Sequence, residues 1–228
     1  MRVVIMGGTS GIGLATAELL AGQGAEVIVT GRDPEKLAAA KEHVTAAEQV
    51  DGASAPAVAD FFARTGPFDH LVLAFSPGPA GLGPINDVKI DDVREAFNGK
   101  LFPYLAAIQQ AQVTGSITMI SASTARSALP GTVALAAVNG AIERIVSPLA
   151  AELAPVRVNA VSPGAIDTPW WSFLPEDQRQ AQFATAAESL PVKRIGHPKD
   201  IATAIHYLIE APYVTGTVLP VDGGFTIA

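Results

Sequence analysis

Short apolar runs alternate along this chain with longer stretches in which apolar and polar positions follow a helical spacing. The apolar runs are nearly unbroken, which is typical of strands covered on both faces of a sheet. They lie at residues 3–6, 26–30, 44–50, 70–75, 116–121, 156–161 and 218–221. Because helical segments connect successive runs, we expect a parallel sheet with helices on both faces. The pattern therefore predicts an α/β fold, a doubly wound parallel sheet in one domain over residues 1–228.

The helical stretches carry recognisable boundary residues. Asp33 precedes Pro34, a pair that predicts an N-cap followed by the first residue of a helix. A long helix over residues 91–111 should kink at Pro103, because proline has no N–H for the carbonyl of Gly99. The other predicted helices cover residues 14–21, 55–64, 132–151 and 199–210, and a long excursion covers residues 163–190.

Composition excludes several classes of protein. The 228 residues carry a net charge of −7, and the few basic residues are scattered, so we expect no nucleic-acid partner. The absence of cysteine excludes disulfides and thiolate chemistry, and the four histidines lack metal-ligand spacing, so no metal site is predicted. No apolar run reaches membrane-spanning length and no signal-peptide pattern is present, so we expect a cytoplasmic protein without a membrane partner.

A glycine-rich turn directly follows the first apolar run, with glycine at positions 7, 11 and 13. Glycine lets the backbone approach a pyrophosphate closely, and a helix start offers free N–H groups and a positive dipole end to the anion. An ordinary tight turn is the alternative, but the strand before it and the helix after it favour a dinucleotide-binding turn. The residues predicted to bind the cofactor here are Gly7, Thr9, Ser10, Gly11, Ile12 and Gly13.

Four segments, in order and across nearly the whole chain, resemble the short-chain dehydrogenase/reductase family. They are the glycine turn, Asp51, residues 157–164 with Thr168, and residues 213–216 with 221–224. The resemblance implies a seven-stranded Rossmann-type sheet, assembled as a homodimer or homotetramer. It implies that Asp51 contacts the adenine and that residues 163–190 form a substrate lid. The residues it places beside the nicotinamide are Pro163, Gly164, Ile166 and Thr168.

The end of the second predicted strand decides between the two nicotinamide cofactors. Family members that bind NAD place an acid there, which accepts a hydrogen bond from the ribose 2′-hydroxyl. This chain has Gly31 at that position, followed by Arg32. Without the carboxylate a 2′-phosphate is not repelled, and a guanidinium can pair with it through two hydrogen bonds. We therefore predict NADP(H) rather than NAD(H); the alternative is that Arg32 is a solvated turn residue.

The chain departs from the family where the chemistry is carried out. In the family a tyrosine exchanges the proton, and a lysine four residues later holds the ribose and lowers the tyrosine pKa. Here those positions are Leu135 and Asn139, and Lys100 stands where the family has an asparagine. Lysine and asparagine thus exchange places, which suggests that a cation is kept at the same site from a different helix. The alternatives are that Lys100 is a solvated helix residue, or that Asn98 is the matching position.

The serine that holds the substrate oxygen in the family has no direct match. The gapless position is Ala122, which lies between Ser121 and Ser123. We favour Ser121, which ends the strand, over Ser123, although both could be loop-capping residues. Tyr104 follows Lys100 by one helical turn and is a candidate proton donor, but we expect it to be buried against a neighbouring subunit.

Two apolar features predict partners. Adjacent Trp170 and Trp171 favour either an apolar or aromatic substrate or a self-association surface. The stretch 132–151 is apolar on more than one face, so we expect it to pack against both the sheet and a second copy. At the end of the fourth strand the chain has Leu-Ala-Phe-Ser at residues 73–76, where the family commonly has Asn-Asn-Ala-Gly. Polar contacts on the cofactor side are thus lost, and Phe75 is expected near the adenosine.

The residues and the resemblance together predict an NADP(H)-dependent oxidoreductase, which transfers a hydride between the nicotinamide and a small carbonyl or alcohol substrate. The predicted catalytic residues, a non-standard acid/base set, are Lys100, Ser121, Ser123 and Asn139. A cofactor-binding sensor or scaffold without catalysis is the alternative, because the tyrosine is missing. A lyase on the same fold is a further alternative.

Overall fold

The computed structural model describes residues 1–227. Its strands are β1 (Arg2–Met6), β2 (Glu26–Gly31), β3 (Ala46–Gln49), β4 (Phe68–Leu73), β5 (Val113–Ile120), β6 (Arg157–Pro163) and β7 (Val218–Val221). Its helices are α1 (Gly11–Gly22), α2 (Pro34–Ala40), α3 (Ala55–Thr65), α4 (Ile90–Asn98), α5 (Leu101–Gln110), α6 (Val133–Glu152), α7 (Glu176–Ser189) and α8 (Pro198–Glu210). Short 3-10 turns follow β5 and β6, at Ser123–Ala125 and Pro169–Phe173.

The strands form a seven-stranded parallel sheet in the order β3-β2-β1-β4-β5-β6-β7. The prediction of a doubly wound, seven-stranded parallel sheet is confirmed. The chain runs outward from β1 to β3, crosses to the other side of β1, and runs outward again to β7. The strand order reverses between β1 and β4, and ligands of such sheets bind in the crevice at that point.

Alternate residues of β1 enter two separate cores. Val3 and Ile5 pack with apolar residues of α1 and α8 on one face of the sheet. Val4 and Met6 pack with those of α3, α5 and α6 on the other face. All four side chains are fully buried, and burial of each contributes about 1.5–3 kcal/mol. The central strands are therefore fixed from both sides, and their carboxyl ends form a rigid base for a site.

The helix predicted over residues 91–111 is two helices in the structure, α4 and α5. They are separated at Gly99 and Lys100, and Lys100 has φ −140° and ψ −66°, outside the helical region. Pro103 lies in the first turn of α5, where backbone N–H groups have no partner within the helix. The prediction of one kinked helix is thus wrong, because the missing N–H ends one helix and starts another. The break places Lys100 at the start of α5.

Helix α6 is, by length and composition alone, long and apolar enough to cross a membrane, with a mean hydropathy of 1.3 over its 18-residue window. The expectation that no apolar run has this length is therefore corrected. One face of α6, with Val138, Ile142 and Val146, is buried in the core against β6. The helix also carries Glu143 and Arg144. Packing on the sheet thus accounts for the apolar character of this face.

Candidate functional site

A cleft of about 1450 Å³ opens above the carboxyl ends of β1 and β4, where the strand order reverses. Its lining includes the glycine turn after β1, the end of β2, the loop after β4 and the start of α5. It continues along α6 and the segment after β6. The predicted cofactor and catalytic residues all line this cleft except Gly13, which lies beneath the glycine turn.

The glycine turn is a backbone cradle that only glycine permits. Gly7 and Gly11 have φ of 83° and 52°, in the left-handed region. A Cβ on Gly13 would lie 2.1 Å from the carbonyl oxygen of Gly7, so the helix start can approach the turn only without a side chain. Ser10 caps α1 without a side-chain hydrogen bond to its backbone. The first N–H groups of α1 are therefore available to an anion, and the turn fits a pyrophosphate.

The end of β2 has no acid at Gly31. The residues that follow it place Arg32 and Lys36 in the cleft lining together with Asp33, which pairs with Lys36 at 3.9 Å. A Cβ at Gly31 would lie 2.6 Å from the Thr9 side chain, so a carboxylate there would collide with the glycine turn. Arg32 is exposed, lines the cleft, and makes no ion pair within residues 1–227. Lys36 also lines the cleft, on α2, whose predicted N-cap is confirmed because Asp33 accepts hydrogen bonds from the first turn. This donor set fits a phosphate.

Two further predicted contacts border the same region. Asp51 lies exposed after β3, and its carboxylate accepts a hydrogen bond from the N–H of Ala53 at 3.1 Å. The methyl group of Thr168 lies 3.3 Å from the position of a Cβ on Gly11, so the segment after β6 rests against the glycine turn. Gly164 is held by a hydrogen bond from its N–H to Val221. Pro163 and Ile166 complete this part of the lining.

Tyr104 lies in the core of its own chain, which corrects the expectation of burial against a neighbouring subunit. It is fully buried and donates a hydrogen bond to the carbonyl of Phe75 at 3.1 Å. The Phe75 ring meets it edge-on, with centroids 5.0 Å apart. Burial raises the pKa of Tyr104 well above its usual value. The hydroxyl proton is directed at a carbonyl within the core, which does not favour Tyr104 as the proton donor to a substrate.

Lys100 enters the wall of the cleft from the break between α4 and α5. Its side chain is buried, and its Nζ donates to Asn139 Oδ1 at 2.7 Å and to the carbonyl of Ser121 at 3.3 Å. The alternative that Lys100 is a solvated helix residue is thus corrected, because the backbone break turns the residue inward. Burial lowers its pKa to about 7, and the negative charge of Glu143 acts in the opposite direction.

Asn139 is itself held in position from α6 and the 3-10 turn after β5. Its Nδ2 donates to the carbonyl of Leu135 at 2.9 Å and to Thr124 Oγ1 at 3.2 Å. Both protons of the amide are therefore used, and Oδ1 is directed at Lys100. Leu135 lines the cleft one turn earlier on the same helix. Lys100 and Asn139, for which the sequence predicts an exchange of places, thus meet in space.

Ser121 has a partner that sequence reasoning missed. Its hydroxyl donates to Glu143 at 2.8 Å, and the Ser162 hydroxyl donates to the same oxygen at 2.7 Å. Arg126 pairs with the other carboxylate oxygen at 2.7 Å. Ser121 thus lines the cleft with its hydroxyl already bonded to Glu143, and the preference for it over Ser123 stays a prediction. Ser123 is also buried and lines the cleft, and its hydroxyl has no hydrogen-bond partner in the described part of the chain.

Fold and site together define a class of protein, an α/β domain that binds a phosphate-bearing dinucleotide at the switch point of a parallel sheet. The family model described as enoyl-(acyl carrier protein) reductase matches residues 7–226. The chain belongs to the short-chain dehydrogenase/reductase family, as the resemblance predicted.

Curated relatives and solved structures agree with this membership. The chain is 31% identical to a glucose 1-dehydrogenase of Gluconobacter oxydans, over 99% of the chain and 92% of the relative. It is 32% identical to a 3-oxoacyl-[acyl-carrier-protein] reductase of Thermotoga maritima, over 98% and 97%. A crystal structure of a small-chain dehydrogenase in complex with NADPH has a TM-score of 0.89 at 32% identity, covering 100% of this chain and 99% of the other. The relatives are dehydrogenases and reductases, which places the chain among the oxidoreductases.

Proposed function

We propose that this protein is an NADP(H)-dependent oxidoreductase that interconverts a carbonyl and an alcohol, with Lys100 as its acid and base. The observation that carries the proposal is the buried contact of 2.7 Å between Lys100 Nζ and Asn139 Oδ1 in the wall of the cleft. A lysine is rarely buried without a role, because an unpaired ammonium is costly to remove from water.

NADP(H) is the cofactor that the cleft fits best. The glycine turn would hold the pyrophosphate, Asp51 the adenine, and residues 163–168 the nicotinamide end. Arg32 and Lys36 would pair with a 2′-phosphate, which NAD lacks. The similar small-chain dehydrogenase and a polyketide ketoreductase with a TM-score of 0.90 were both solved with NADPH, which supports this choice. Bound NADPH supplies the hydride.

Lys100 can give and take the proton of this reaction. Its pKa of about 7 means that both protonation states are populated near neutral pH. As an ammonium it has three N–H donors, of which Asn139 and the Ser121 carbonyl accept two. The third can donate to a carbonyl oxygen in the cleft, and the neutral amine can accept the proton of an alcohol. Asn139 is a positioning residue in this scheme, and Ser123 is the hydroxyl available to orient the substrate oxygen.

Substitution of Lys100 tests the proposal. Lys100→Met should lower kcat for NADPH oxidation with a panel of ketones by about 100-fold or more, the usual range for loss of a general acid. NADPH affinity, measured by calorimetry, should change little, because Lys100 is not among the phosphate contacts. Lys89→Met is the matched control, since Lys89 is exposed before α4 and lies outside the cleft lining. Unchanged turnover in Lys100→Met would contradict the role.

A cofactor-binding protein without catalysis is the second candidate function. Two hydroxyl groups near Lys100 favour it, because neither is free to donate to a substrate. The Ser121 hydroxyl donates to Glu143, and Tyr104 is fully buried. This candidate predicts calorimetric binding of NADPH together with no NADPH oxidation over a broad carbonyl panel. Turnover above the Lys100→Met background with any ketone in the panel would exclude it.

We also propose that the protein is a homo-oligomer. Ile90, Phe102 and Val133, at the starts of α4, α5 and α6, are 66%, 54% and 55% exposed, which is high for large apolar side chains. Burial against a second copy would remove this apolar surface from water. Sedimentation velocity at micromolar concentration should give a dimer or tetramer, and Phe102→Glu should shift it toward monomer. A monomeric wild-type protein would contradict the proposal.

A further inference from the structure

We infer that the substrate is a neutral carbonyl or alcohol carried on an aromatic or polycyclic apolar ring system, bound against the aromatic residues that follow β6. The inference rests on the proposed function and names its substrate class. The aromatic segment consists of Trp170, Trp171 and Phe173, in the 3-10 turn Pro169–Phe173, and all three residues line the cleft.

The aromatic segment is held in place before any ligand binds. The indole N–H of Trp171 donates to the carbonyl of Ile166 at 3.0 Å, and its ring meets buried Phe183 of α7 edge-on at 5.5 Å. Trp170 packs edge-on against both neighbours, at 4.8 Å to Trp171 and 5.4 Å to Phe173. Trp170 remains partly exposed and Phe173 is 41% exposed, so ring faces are left for a ligand. Such preorganised rings favour stacked or edge-on contact with another ring.

Apolar residues from elsewhere in the chain line the same cleft. Leu135 and Val138 contribute from α6, Leu129 from the loop before it, and Phe225 from the segment after β7. Leu135 stands at the position where the family has its tyrosine, so the surface beside Lys100 is apolar as well. A substrate whose oxygen reaches the Lys100 amine therefore meets apolar side chains of the lining, such as Leu135, as well as the polar groups of Ser123 and Asn139.

Among the described lining residues that follow Glu95 in the chain, Lys100 is the only charged one. The charged residues that line the cleft are Arg32, Asp33, Lys36, Asp51, Glu95 and Lys100, and within the described lining none occurs after Lys100. A carboxylate or phosphate on the substrate would therefore meet no cation besides the buried lysine. Burial of an unpaired charge is costly, so the site selects against acidic substrates.

Three hydroxyl groups of the cleft lining already donate to backbone carbonyls. Thr132 donates to the carbonyl of Leu129 at 2.7 Å, and Thr185 and Ser189 donate within their own helix at 3.0 and 2.8 Å. A sugar needs many partners for its hydroxyls, and buried polar groups without partners are unfavourable. The lining thus favours a ring ketone over a polyol such as glucose.

Binding of matched ligands tests the inference. In the presence of NADP+, which blocks turnover of a ketone, tryptophan quenching and thermal shift would report the Kd of four probes. The probes are 1-tetralone, 4′-methylacetophenone, 4-acetylbenzoate and glucose. The two neutral aryl ketones should bind at least about tenfold more tightly than the other two. Equal or tighter binding of the carboxylate or of glucose would overturn the inference.

Variants of the aromatic segment test whether it is this segment that binds the aryl ketones. Trp170→Ala should raise the Kd of 1-tetralone about tenfold, and Trp170→Phe should restore most of the affinity, because a ring face is retained. Tyr213→Ala is the control, since Tyr213 is fully exposed and lies outside the cleft lining. If Trp170→Ala changes the sedimentation of the protein but not the Kd, the segment is a self-association surface and the inference fails.

Failure of the inference and failure of the proposed function are distinguishable. If calorimetry detects no NADPH binding, the proposed function itself fails. If NADPH binds and Lys100→Met lowers the turnover of glucose or of an acidic carbonyl compound, the proposed function stands and the aromatic substrate class is wrong.

Discussion

The two ends of the cleft differ in the groups that line them: backbone groups at one end and buried side chains at the other. At the end that we propose binds the adenosine, the lining consists of backbone groups of Gly7, Gly11 and the start of α1, with the exposed cation of Arg32 beside them. At the proposed catalytic end, the lining includes buried side chains, with Lys100 and Asn139 in direct contact. The first end depends on a few neighbouring residues, whereas the second depends on elements far apart in the chain. Substitutions at the two ends should therefore have different effects on the protein.

The largest effect is expected at the backbone end. A methyl group at Gly13 would lie 2.1 Å from the Gly7 carbonyl oxygen, so Gly13→Ala must displace the turn or the start of α1. We expect calorimetric NADPH binding to be lost and the free energy of unfolding to fall by roughly 3 kcal/mol or more. Gly22→Ala, at the other end of α1, is the control because nothing lies within 4 Å of its Cβ position. If Gly13→Ala and Gly22→Ala bind NADPH equally well and are equally stable, the glycine turn does not depend on the absence of a side chain at residue 13.

A smaller effect is expected for Arg32, the side chain that we propose pairs with the 2′-phosphate. Arg32→Ala should weaken NADPH binding by roughly 1.5–3 kcal/mol, the contribution of a charge-assisted hydrogen bond, while NADH binding stays unchanged. Arg94→Ala is the control, since Arg94 is exposed on α4 and pairs with Asp91 outside the cleft lining. If NADH and NADPH lose affinity equally, Arg32 does not distinguish the cofactors.

Local patterns in the sequence are sufficient for the adenosine end. An apolar strand, the Gly-x3-Gly-x-Gly turn and a helix start are neighbours in the chain, and their geometry follows from glycine conformation and helix termini. Asp33 caps α2 as its position before Pro34 predicts. These features need no knowledge of distant residues, so the sheet and the cofactor turn could be predicted.

The catalytic end depends on tertiary contacts that no local pattern contains. The break at Gly99 follows from Pro103, but its exact consequence, an inward Lys100, requires the packed position of α6. Glu143 was missed although Leu135, Asn139 and Glu143 repeat at four-residue spacing and so share one face of α6. That spacing was the available signal. The engagement of Ser121 by Glu143 could not be read from either residue alone.

The buried amine should also make stability depend on pH. Lys100 has a pKa of about 7 when folded and an ordinary value of 10.5 when exposed in the unfolded chain. Between these values the unfolded state binds more protons, so the free energy of unfolding rises with pH, by up to about 1.4 kcal/mol per pH unit. Urea unfolding from pH 7.5 to 8.5 should show this slope in the wild type and Lys89→Met. A slope that persists in Lys100→Met would assign it to another group.

The smallest predicted effect tests whether Glu143 acts on Lys100 through its charge or through the structure that it stabilises. Glu143 raises the pKa of Lys100 against the effect of burial, while Arg126, paired with Glu143, partly offsets its charge. Glu143→Gln should therefore move the midpoint of the pH–kcat profile toward acid, by about one pH unit or less. Glu152→Gln, at the exposed end of the same helix, should leave the midpoint in place.

Ser162→Ala completes this test, because it removes a hydrogen bond to Glu143 and keeps the carboxylate. It should lower the free energy of unfolding by about 1 kcal/mol and leave the midpoint unchanged. If Ser162→Ala shifts the midpoint as much as Glu143→Gln does, the carboxylate acts by holding the strands together. A shift confined to Glu143→Gln means that its charge sets the protonation of Lys100. Lys100 at the start of α5 and Glu143 on α6 would then act together through their charges although they are far apart in the chain. The glycine turn, by contrast, is formed by residues that are neighbours in the chain.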